Sequence, residues 1–215
     1  MRRRLWPSLY RTLRLFERDA PGRRLFLDLG SNIGQGIEYF AGLYRPGRFD
    51  YLLYEPNPYC APALAEVAGD LSQQGGSVTC VAKGVWEADA TMEMVLPIPE
   101  EDPSALGGTL LPEQSGLGLS EGQPRVEIDV VDIGRLLEEL YESYDQVVIK
   151  MDIEGAELAV LDRIYSVSGC IKGRLIIYVE FHSWYCTNDR RRMIKERERQ
   201  LVESRPSNIT LREWH

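Results

Sequence analysis

The chain has 215 residues, of which 44% are hydrophobic and 27% charged, and this is the composition of an ordinary folded domain with its own core. Its net charge of −8 and its lack of a long apolar run argue against general affinity for nucleic acid and against a membrane span. The four cysteines form no C-x-x-C pair and the basic N-terminus lacks a signal-peptide core, so we expect reduced thiols and a cytoplasmic protein.

The first 20 residues predict an amphipathic N-terminal helix. Leu5, Leu9, Leu13 and Phe16 form an apolar stripe at helical spacing, with arginines between them. We expect this stripe to pack on the rest of a single domain, 1–215. Basic residues cluster at both ends of the chain, over 2–14 and 189–199, and we interpret them as solvated helix faces. A docking surface for an anionic carrier, a membrane or RNA is the alternative.

The segment from Phe26 to Gly34, Phe-Leu-Asp-Leu-Gly-Ser-Asn-Ile-Gly, predicts a buried strand, a glycine-rich turn and then a helix. Such a turn presents backbone N–H groups at a helix N-terminus, where polar ligands bind. A dinucleotide fingerprint requires glycine at positions 30, 32 and 35, and of these the chain has only Gly30. The spacing Asp28-x-Gly30-x-Asn32-x-Gly34 instead resembles the first motif of Rossmann-like methyltransferases that use S-adenosylmethionine.

Strands and helices continue to alternate along the first half of the chain. Strands are predicted over 51–55, 77–82, 91–96 and 125–130, and the intervening helix carries an apolar face of Leu64, Val67, Ala68 and Leu71. Residues 97–124 are rich in Pro, Gly, Ser and acidic residues, and so long a connection in a compact domain is usually functional or disordered. We predict that this segment is a mobile substrate loop.

The second half predicts a further series of strands and helices. Asp132 is placed to cap a helix, strands follow over 146–151 and 174–181, and a charged helix and a short strand, 208–214, come last. Strands that alternate with helices predict an α/β fold with a doubly wound, mainly parallel sheet and helices on both faces. Only one terminal strand is evident where such folds usually end in an antiparallel pair, which leaves room for a homodimer.

Further motifs extend the resemblance. Residues 150–157, Lys-Met-Asp-Ile-Glu-Gly-Ala-Glu, resemble the Lys-Ile-Asp-Val-Glu-Gly-Ala-Glu signature of the FkbM family of methyltransferases. Tyr54-Glu-Pro-Asn-Pro58 and Ile177-Tyr-Val-Glu-Phe-His182 lie where that family has its second acidic motif and its fifth strand. The resemblance covers roughly residues 24 to 185. It implies a class I methyltransferase fold, S-adenosyl-L-methionine as cofactor, and methyl transfer to a hydroxyl of a sugar or natural-product intermediate, hence a small-molecule or glycan acceptor.

The predicted cofactor site lies at the carboxyl ends of the strands, where open α/β sheets bind ligands. Glu55 ends the second strand, the place from which a carboxylate accepts bonds from ribose hydroxyls. Asp28 is predicted to accept a bond from the cofactor's ammonium group, and adenine to lie against residues 83–86, where the chain departs from the family's Ala-Val-Ser-Asp. The predicted cofactor-binding residues are Asp28, Gly30, Ser31, Asn32, Gly34, Glu55, Asn57, Gly84 and Asp152.

The predicted acceptor site lies at the ends of the next two strands. Lys150 and Asp152 share one face of the strand over 146–151, and Glu180 and His182 share one face of the strand over 174–181. These two strands are neighbours in this fold, so the four polar side chains can converge. His182, with an ordinary pKa of about 6.5, suits a general base, and Asp152 and Glu180 complete the predicted catalytic set; a structural His182 is the alternative. Lys150 is a charge within an apolar strand and must be paired, most simply with Glu180 or Asp152.

Two glutamates stand at the start of the following helix, where carboxylates favour the positive end of the helix dipole. We predict that Glu154 binds substrate and that Glu157 lies on the helix surface. Oxygen ligands with one histidine also suit Mg²⁺ or Mn²⁺. Asp152, Glu154, Glu180 and His182 are therefore an alternative metal site, although the family resemblance requires no metal.

Other functions stay open beside O-methylation. N-methylation of a peptide or amide is a close variant. An RNA methyltransferase would use Lys150, Asp152 and Glu180 within a Lys-Asp-Lys-Glu set, but the second lysine is not evident and the acidic composition disfavours RNA. A non-catalytic module that kept the cofactor pocket would bind the cofactor without turnover.

Overall fold

The computed structural model describes residues 22–97, 107–111, 122–182 and 188–214. The strands are β1 (Arg24–Leu29), β2 (Asp50–Tyr54), β3 (Val78–Val81), β4 (Gly84–Trp86), β5 (Ala90–Val95), β6 (Arg125–Asp132), β7 (Gln146–Met151), β8 (Arg174–Val179) and β9 (Ile209–Glu213). The helices are α1 (Gln35–Leu43), α2 (Ala61–Gln73), α3 (Ile133–Leu140), α4 (Glu157–Ser166) and α5 (Asn188–Glu203), with 3-10 turns at Pro58–Cys60 and Ser168–Cys170. The helix predicted over residues 1–20 and most of the predicted substrate loop, 98–106 and 112–121, lie outside the described residues.

Six strands form a sheet in the order β3-β2-β1-β7-β8-β9, and every neighbouring pair runs parallel. A three-stranded sheet, β4-β6-β5, lies beside it, with β5 antiparallel to β6. From β1 the chain proceeds to β2 on one side and later returns as β7 on the other. The strand order therefore switches between β1 and β7, and ligands of open α/β sheets bind at the carboxyl ends of the strands at such a switch.

Helices cover both faces of the six-stranded sheet. On one face, α1 and α2 pack onto Phe26 through Ile37, Phe40 and Leu64. On the other face, α3, α4 and α5 pack against the remaining apolar side chains of the central strands. Because both faces are covered, all six residues of β7 are buried. The predicted α/β fold with a doubly wound, mainly parallel sheet is confirmed. Among the described helices, none combines the length and hydropathy that a membrane span requires.

Two strands add to what the sequence predicts. Residues 84–86, for which no strand was predicted, form the separate strand β4, which pairs with β6; three residues are too few for a periodicity to show. Trp86, at the end of β4, packs partly buried against the core of the small sheet and is absent from the pocket lining described below. The terminal strand β9 joins β8 in parallel, because α5 supplies the crossover that parallel neighbours need.

Candidate active site

The turn after β1 is held tightly against the loop that follows β7. Gly30 has a φ of +77°, and a Cβ atom there would lie 1.9 Å from the carbonyl oxygen of Asp152, so the position requires glycine. Asn32 is also left-handed, with a φ of +50°, which asparagine tolerates. The N–H groups of Gly30 and Ser31 both donate to the Tyr54 carbonyl oxygen at 3.1 Å. The turn therefore joins the ends of β1, β2 and β7 as one unit.

The Glu55 carboxylate is fixed by two backbone N–H groups. Asn32 donates to Oε2 at 2.7 Å, and Asn57 donates to Oε1 at 2.8 Å. Asn57 itself caps the following 3-10 turn, since its Oδ1 accepts a bond from the Tyr59 N–H at 3.0 Å. Burial raises the pKa of Glu55 against the opposing effect of these hydrogen bonds. Each carboxylate oxygen keeps a second lone pair, so Glu55 can accept bonds from ligand hydroxyls.

A pocket lies over these strand ends, with about 670 Å³ of empty space when its open mouth is included. It is lined by Gly30, Asn32, Tyr54, Glu55, Pro56, Lys83, Gly84, Val85, Met94, Gly107, Gly108, Leu110, Asp152, Ile153, Glu154 and Ala156. The predicted cofactor-binding residues among them are Gly30, Asn32, Glu55, Gly84 and Asp152. The structure also places the predicted substrate ligand Glu154 in the same lining.

The other predicted cofactor-binding residues lie outside this lining. Asp28 and Ser31 are buried at 1% and 2% exposure, and Asn57 is buried next to Glu55. Gly34 is the N-cap of α1, where φ is +92° and a Cβ atom would lie 2.8 Å from the side chain of Val67. These residues shape the turn and the pocket wall. Direct bonds from them to a cofactor stay a prediction.

Lys150 is buried in the sheet and connects the turn to the far side of the pocket. Its Nζ donates to the Gly30 carbonyl oxygen at 2.7 Å and forms ion pairs with Asp28 at 3.3 Å and Asp152 at 3.4 Å. Burial lowers the pKa of Lys150, but the two carboxylates outweigh burial and the pKa is raised overall. The predicted pairing with Asp152 is confirmed. Asp28, which the sequence predicts to bind the cofactor, is a second partner.

His182 follows β8 and faces three carboxylates. Its Nδ1 lies 2.8 Å from Glu157 Oε1, and its Nε2 lies 3.5 Å from Glu154 Oε2 and 3.7 Å from Asp152 Oδ1. The three groups Asp152, Glu154 and His182 each offer one ligand atom within 4.8 Å of the others. Glu180, between β8 and His182, is partly buried, and its N–H bonds to the end of β7. The predicted convergence of Asp152 and His182 is confirmed.

The protonation state of this cluster differs from the sequence-based expectation. Burial lowers the pKa of His182, but the hydrogen bond with Glu157 and the charges of Glu157, Glu154 and Asp152 outweigh it and raise the pKa to about 9. The pKa of Glu154 is raised to about 7, chiefly by burial and against the opposing charge of His182. This pKa lies above the ordinary value of about 6.5 on which the general-base prediction relied, because three carboxylates surround the imidazole. The general-base role of His182 stays a prediction.

Glu157 is the site residue that the sequence-based prediction placed wrongly. Its side chain is 2% exposed, and besides its contact with His182 it accepts a bond from the Gly155 N–H at 3.1 Å. The prediction relied on the position of Glu157 at the start of a helix, but a helix start is not always exposed. The helical spacing of its neighbours indicates burial instead. At i, i+3, i+4 and i+7 spacing, Glu157 shares one face of α4 with the buried residues Val160, Leu161 and Ile164.

The described part of the predicted substrate loop borders the pocket. Gly107, Gly108 and Leu110 contribute to the lining. Thr109 pairs with β5 through an isolated bridge, and its Oγ1 donates to the Glu154 carbonyl oxygen at 2.6 Å. Glu154 has a left-handed φ of +51°. The loop is therefore joined to the backbone that carries the acidic cluster, a contact that no local sequence pattern indicates.

Comparisons with known proteins agree with this architecture. The family model of the methyltransferase FkbM domain matches residues 28–201. The crystal structure of methyltransferase FkbM from Methylobacillus flagellatus is similar to this chain with a TM-score of 0.51 and 19% sequence identity, over 92% of this chain and 42% of that one. The chain thus spans less than half the length of that protein, and the likeness supports the fold alone. Among curated proteins, no sequence match reached significance. Because the family model covers most of the chain, including the turn after β1 and the acidic cluster, the protein belongs to the FkbM methyltransferase family.

Proposed function

We propose that the protein transfers a methyl group from S-adenosyl-L-methionine to a hydroxyl of a small-molecule or glycan acceptor, such as a sugar or natural-product intermediate. Family membership supports methyl transfer. The Glu55 carboxylate, held at the pocket by two N–H groups, is the observation that carries the choice of cofactor. When bound, S-adenosyl-L-methionine supplies a methyl group activated by a sulfonium.

The pocket offers groups that suit this cofactor. Glu55 can accept bonds from two adjacent ribose hydroxyls, because both of its oxygens keep a free lone pair. Val85 and Met94 offer apolar surface to a flat base. Gly30 lacks a side chain, so the backbone of the turn can approach a ligand closely. These features support an adenosine moiety in this pocket.

The charge of the lining favours a cationic ligand over a nicotinamide dinucleotide. The carboxyl groups of Glu55, Asp152 and Glu154 line the pocket, where Lys83 is the basic lining residue. Opposite charges attract strongly in a partly buried site. The sulfonium and ammonium groups of S-adenosyl-L-methionine suit such a lining, whereas a pyrophosphate would face the same carboxylates unfavourably.

We assign the acceptor to the side of the pocket where the lining residues Asp152 and Glu154 approach the buried His182. Asp152 belongs to both sides, since it lines the pocket and approaches His182 Nε2. Its carboxylate can hold and orient a hydroxyl. As the O–CH3 bond forms and the bond from the sulfonium sulfur to the methyl group breaks, the proton of the hydroxyl passes to this carboxylate or to water. Asp152, Glu180 and His182 are the proposed catalytic residues, and Glu154 the proposed substrate-binding residue. So acidic a cluster disfavours phosphorylated acceptors and nucleic acid.

Incubation of the purified protein with methyl-labelled cofactor and a panel of hydroxyl-bearing sugars and natural-product intermediates tests this function. We expect label on an acceptor oxygen, located by NMR of the product. Label on nitrogen would replace O-methylation by N-methylation, and label in added RNA would favour an RNA methyltransferase. Cofactor binding without transfer to any acceptor would indicate a non-catalytic module.

A further inference from the structure

We propose that Asp152, Glu154 and His182 form a binding site for a divalent cation at the acceptor side of the pocket. Their ligand atoms already lie within 4.8 Å of one another, with His182 Nε2 at 3.5 Å from Glu154 Oε2 and 3.7 Å from Asp152 Oδ1. Ligand atoms around a small divalent cation lie roughly 3 Å apart. A modest rotation of the two carboxylates, which are 27% and 24% exposed, therefore gives ligand spacing.

The buried partner of His182 supports a ligand role independently. Histidines that bind metals almost always bond their other ring nitrogen to a carboxylate, a carbonyl or water, which fixes the ring. Here Glu157 contacts Nδ1 at 2.8 Å, with both side chains at least 95% buried. The Gly155 N–H in turn donates to both oxygens of Glu157 at 3.1 Å. The imidazole is therefore held with Nε2 directed toward Asp152 and Glu154.

The two carboxylates are also constrained from behind. Lys150 Nζ lies 3.4 Å from Asp152 Oδ2, so Oδ1 is the oxygen that approaches His182. The carbonyl oxygen of Glu154 is bonded by Thr109, and its left-handed backbone fixes where the side chain begins. The side chains of His182 and Asp152 thus have neighbours that set their directions, and the backbone of Glu154 is fixed.

The ligand set defines the class of cation. Two carboxylate oxygens and one imidazole nitrogen suit Mn²⁺ or Mg²⁺, and the imidazole favours Mn²⁺ over Mg²⁺ and Ca²⁺. Three protein ligands leave positions for water and for a hydroxyl. The next step rests on the proposed function. The acceptor hydroxyl occupies one of these positions, where the cation orients it and eases loss of its proton to water. Cation binding displaces the ring proton of His182, because only the neutral imidazole is a ligand. His182 then acts as a ligand and not as a free base.

Binding of Mn²⁺ to the full chain, measured by titration calorimetry without cofactor or acceptor, tests the site. We expect one Mn²⁺ per chain and weaker binding of Mg²⁺. Affinity should fall at least tenfold in Asp152→Asn, Glu154→Gln and His182→Gln, and by about 10- to 100-fold in Glu157→Gln, whose side chain only orients the ligand. The matched control is Glu127→Gln, an exposed carboxyl on β6, which should leave Mn²⁺ affinity unchanged.

Glu154→Gln decides the result if other variants fail to fold, because the Glu154 side chain is partly exposed, whereas Asp152 pairs with the buried Lys150 and His182 is buried. Absence of Mn²⁺ binding to the wild-type chain at up to about 1 mM, or unchanged binding in folded Glu154→Gln, would overturn the inference. S-adenosylhomocysteine is titrated into the same samples. Thioether binding without Mn²⁺ binding overturns the metal site alone, whereas Mn²⁺ binding without thioether binding supports the site and overturns the proposed cofactor.

Discussion

Gly30 is a position at which one methyl group decides whether the pocket can form. Its Cβ would overlap the Asp152 carbonyl oxygen at 1.9 Å, and its φ of +77° disfavours any side chain. We predict that Gly30→Ala lowers the free energy of unfolding by at least about 2 kcal/mol in urea titrations, because backbone strain and overlap add. Gly69→Ala on α2, where no atom lies within 4 Å of the added carbon, is the control and should stabilise by up to about 1 kcal/mol. Equal effects of the two would contradict the described turn.

Glu55 is the residue on which cofactor recognition depends most. Replacement of Glu55 by Gln removes the charge and one acceptor oxygen while retaining the size of the side chain. We expect affinity for S-adenosylhomocysteine to fall by about 10- to 100-fold, the effect of losing hydrogen bonds to a charged group. Calorimetry measures this. Glu66→Gln, on the exposed side of α2, serves as the control. If both variants bind equally well, Glu55 does not hold the ribose.

At the scale of elements, the start of α3 depends on an ion pair that pH should control. Asp132 Oδ1 accepts the Gly134 N–H at 2.7 Å, and Arg163 donates to both Asp132 oxygens at 2.7 and 2.8 Å. The hydrogen bond from Arg163 lowers the pKa of Asp132. A carboxyl group whose pKa is lower in the folded state stabilises the fold at pH values above its unfolded pKa of about 3.9. This stabilisation is lost as the pH falls through the lower pKa of the folded state.

We therefore predict that Asp132→Asn, which retains the cap but not the charge, destabilises the protein by about 1 kcal/mol at neutral pH. The difference from wild type should shrink as the pH falls below about 4. Urea unfolding at both pH values measures it. Asp89→Asn breaks an exposed pair with Arg135 and should cost less. A difference that persists in acid would assign the effect to capping rather than charge.

The elements themselves were predictable where local patterns repeat. β7 was predicted to the residue as 146–151, and Asp132 does cap α3, because an apolar run and a capping residue act within a few positions. The parallel pairing of β9 with β8 was not predictable, since pairing depends on a crossover. Glu157 was predicted to lie on the surface because it stands at a helix start, whereas its spacing with Val160, Leu161 and Ile164 indicates burial.

At the scale of the whole molecule, the site is formed by segments far apart in the chain. Lys150 bonds Gly30, and Thr109 bonds Glu154, so no single motif contains the pocket. Asp152 and Glu154, which the family signature contains, both line the pocket, because the motif follows one strand end. The electrostatics could not be read from composition, since the raised pKa of His182 arises from three carboxylates that folding brings together.

The loop between β5 and β6 should govern acceptor choice. Its described part lines the pocket at Gly107, Gly108 and Leu110. We predict that replacing residues 99–122 with a short Gly-Ser linker abolishes or broadens acceptor use, because water and other substrates then reach the site. Cofactor affinity should change by only a few-fold, since Glu55 and the turn are retained. Normal methylation by the shortened enzyme would show that the loop is a tolerated insertion.

The central claim is that the pocket at the switch between β1 and β7 binds S-adenosyl-L-methionine. Titration of S-adenosylhomocysteine and of NAD into the purified chain tests this most directly. We predict one thioether molecule per chain, a gain of about 2.7 kcal/mol in unfolding free energy at 100 times its dissociation constant, and much weaker binding of NAD. No thioether binding, or tighter binding of NAD, would contradict the account.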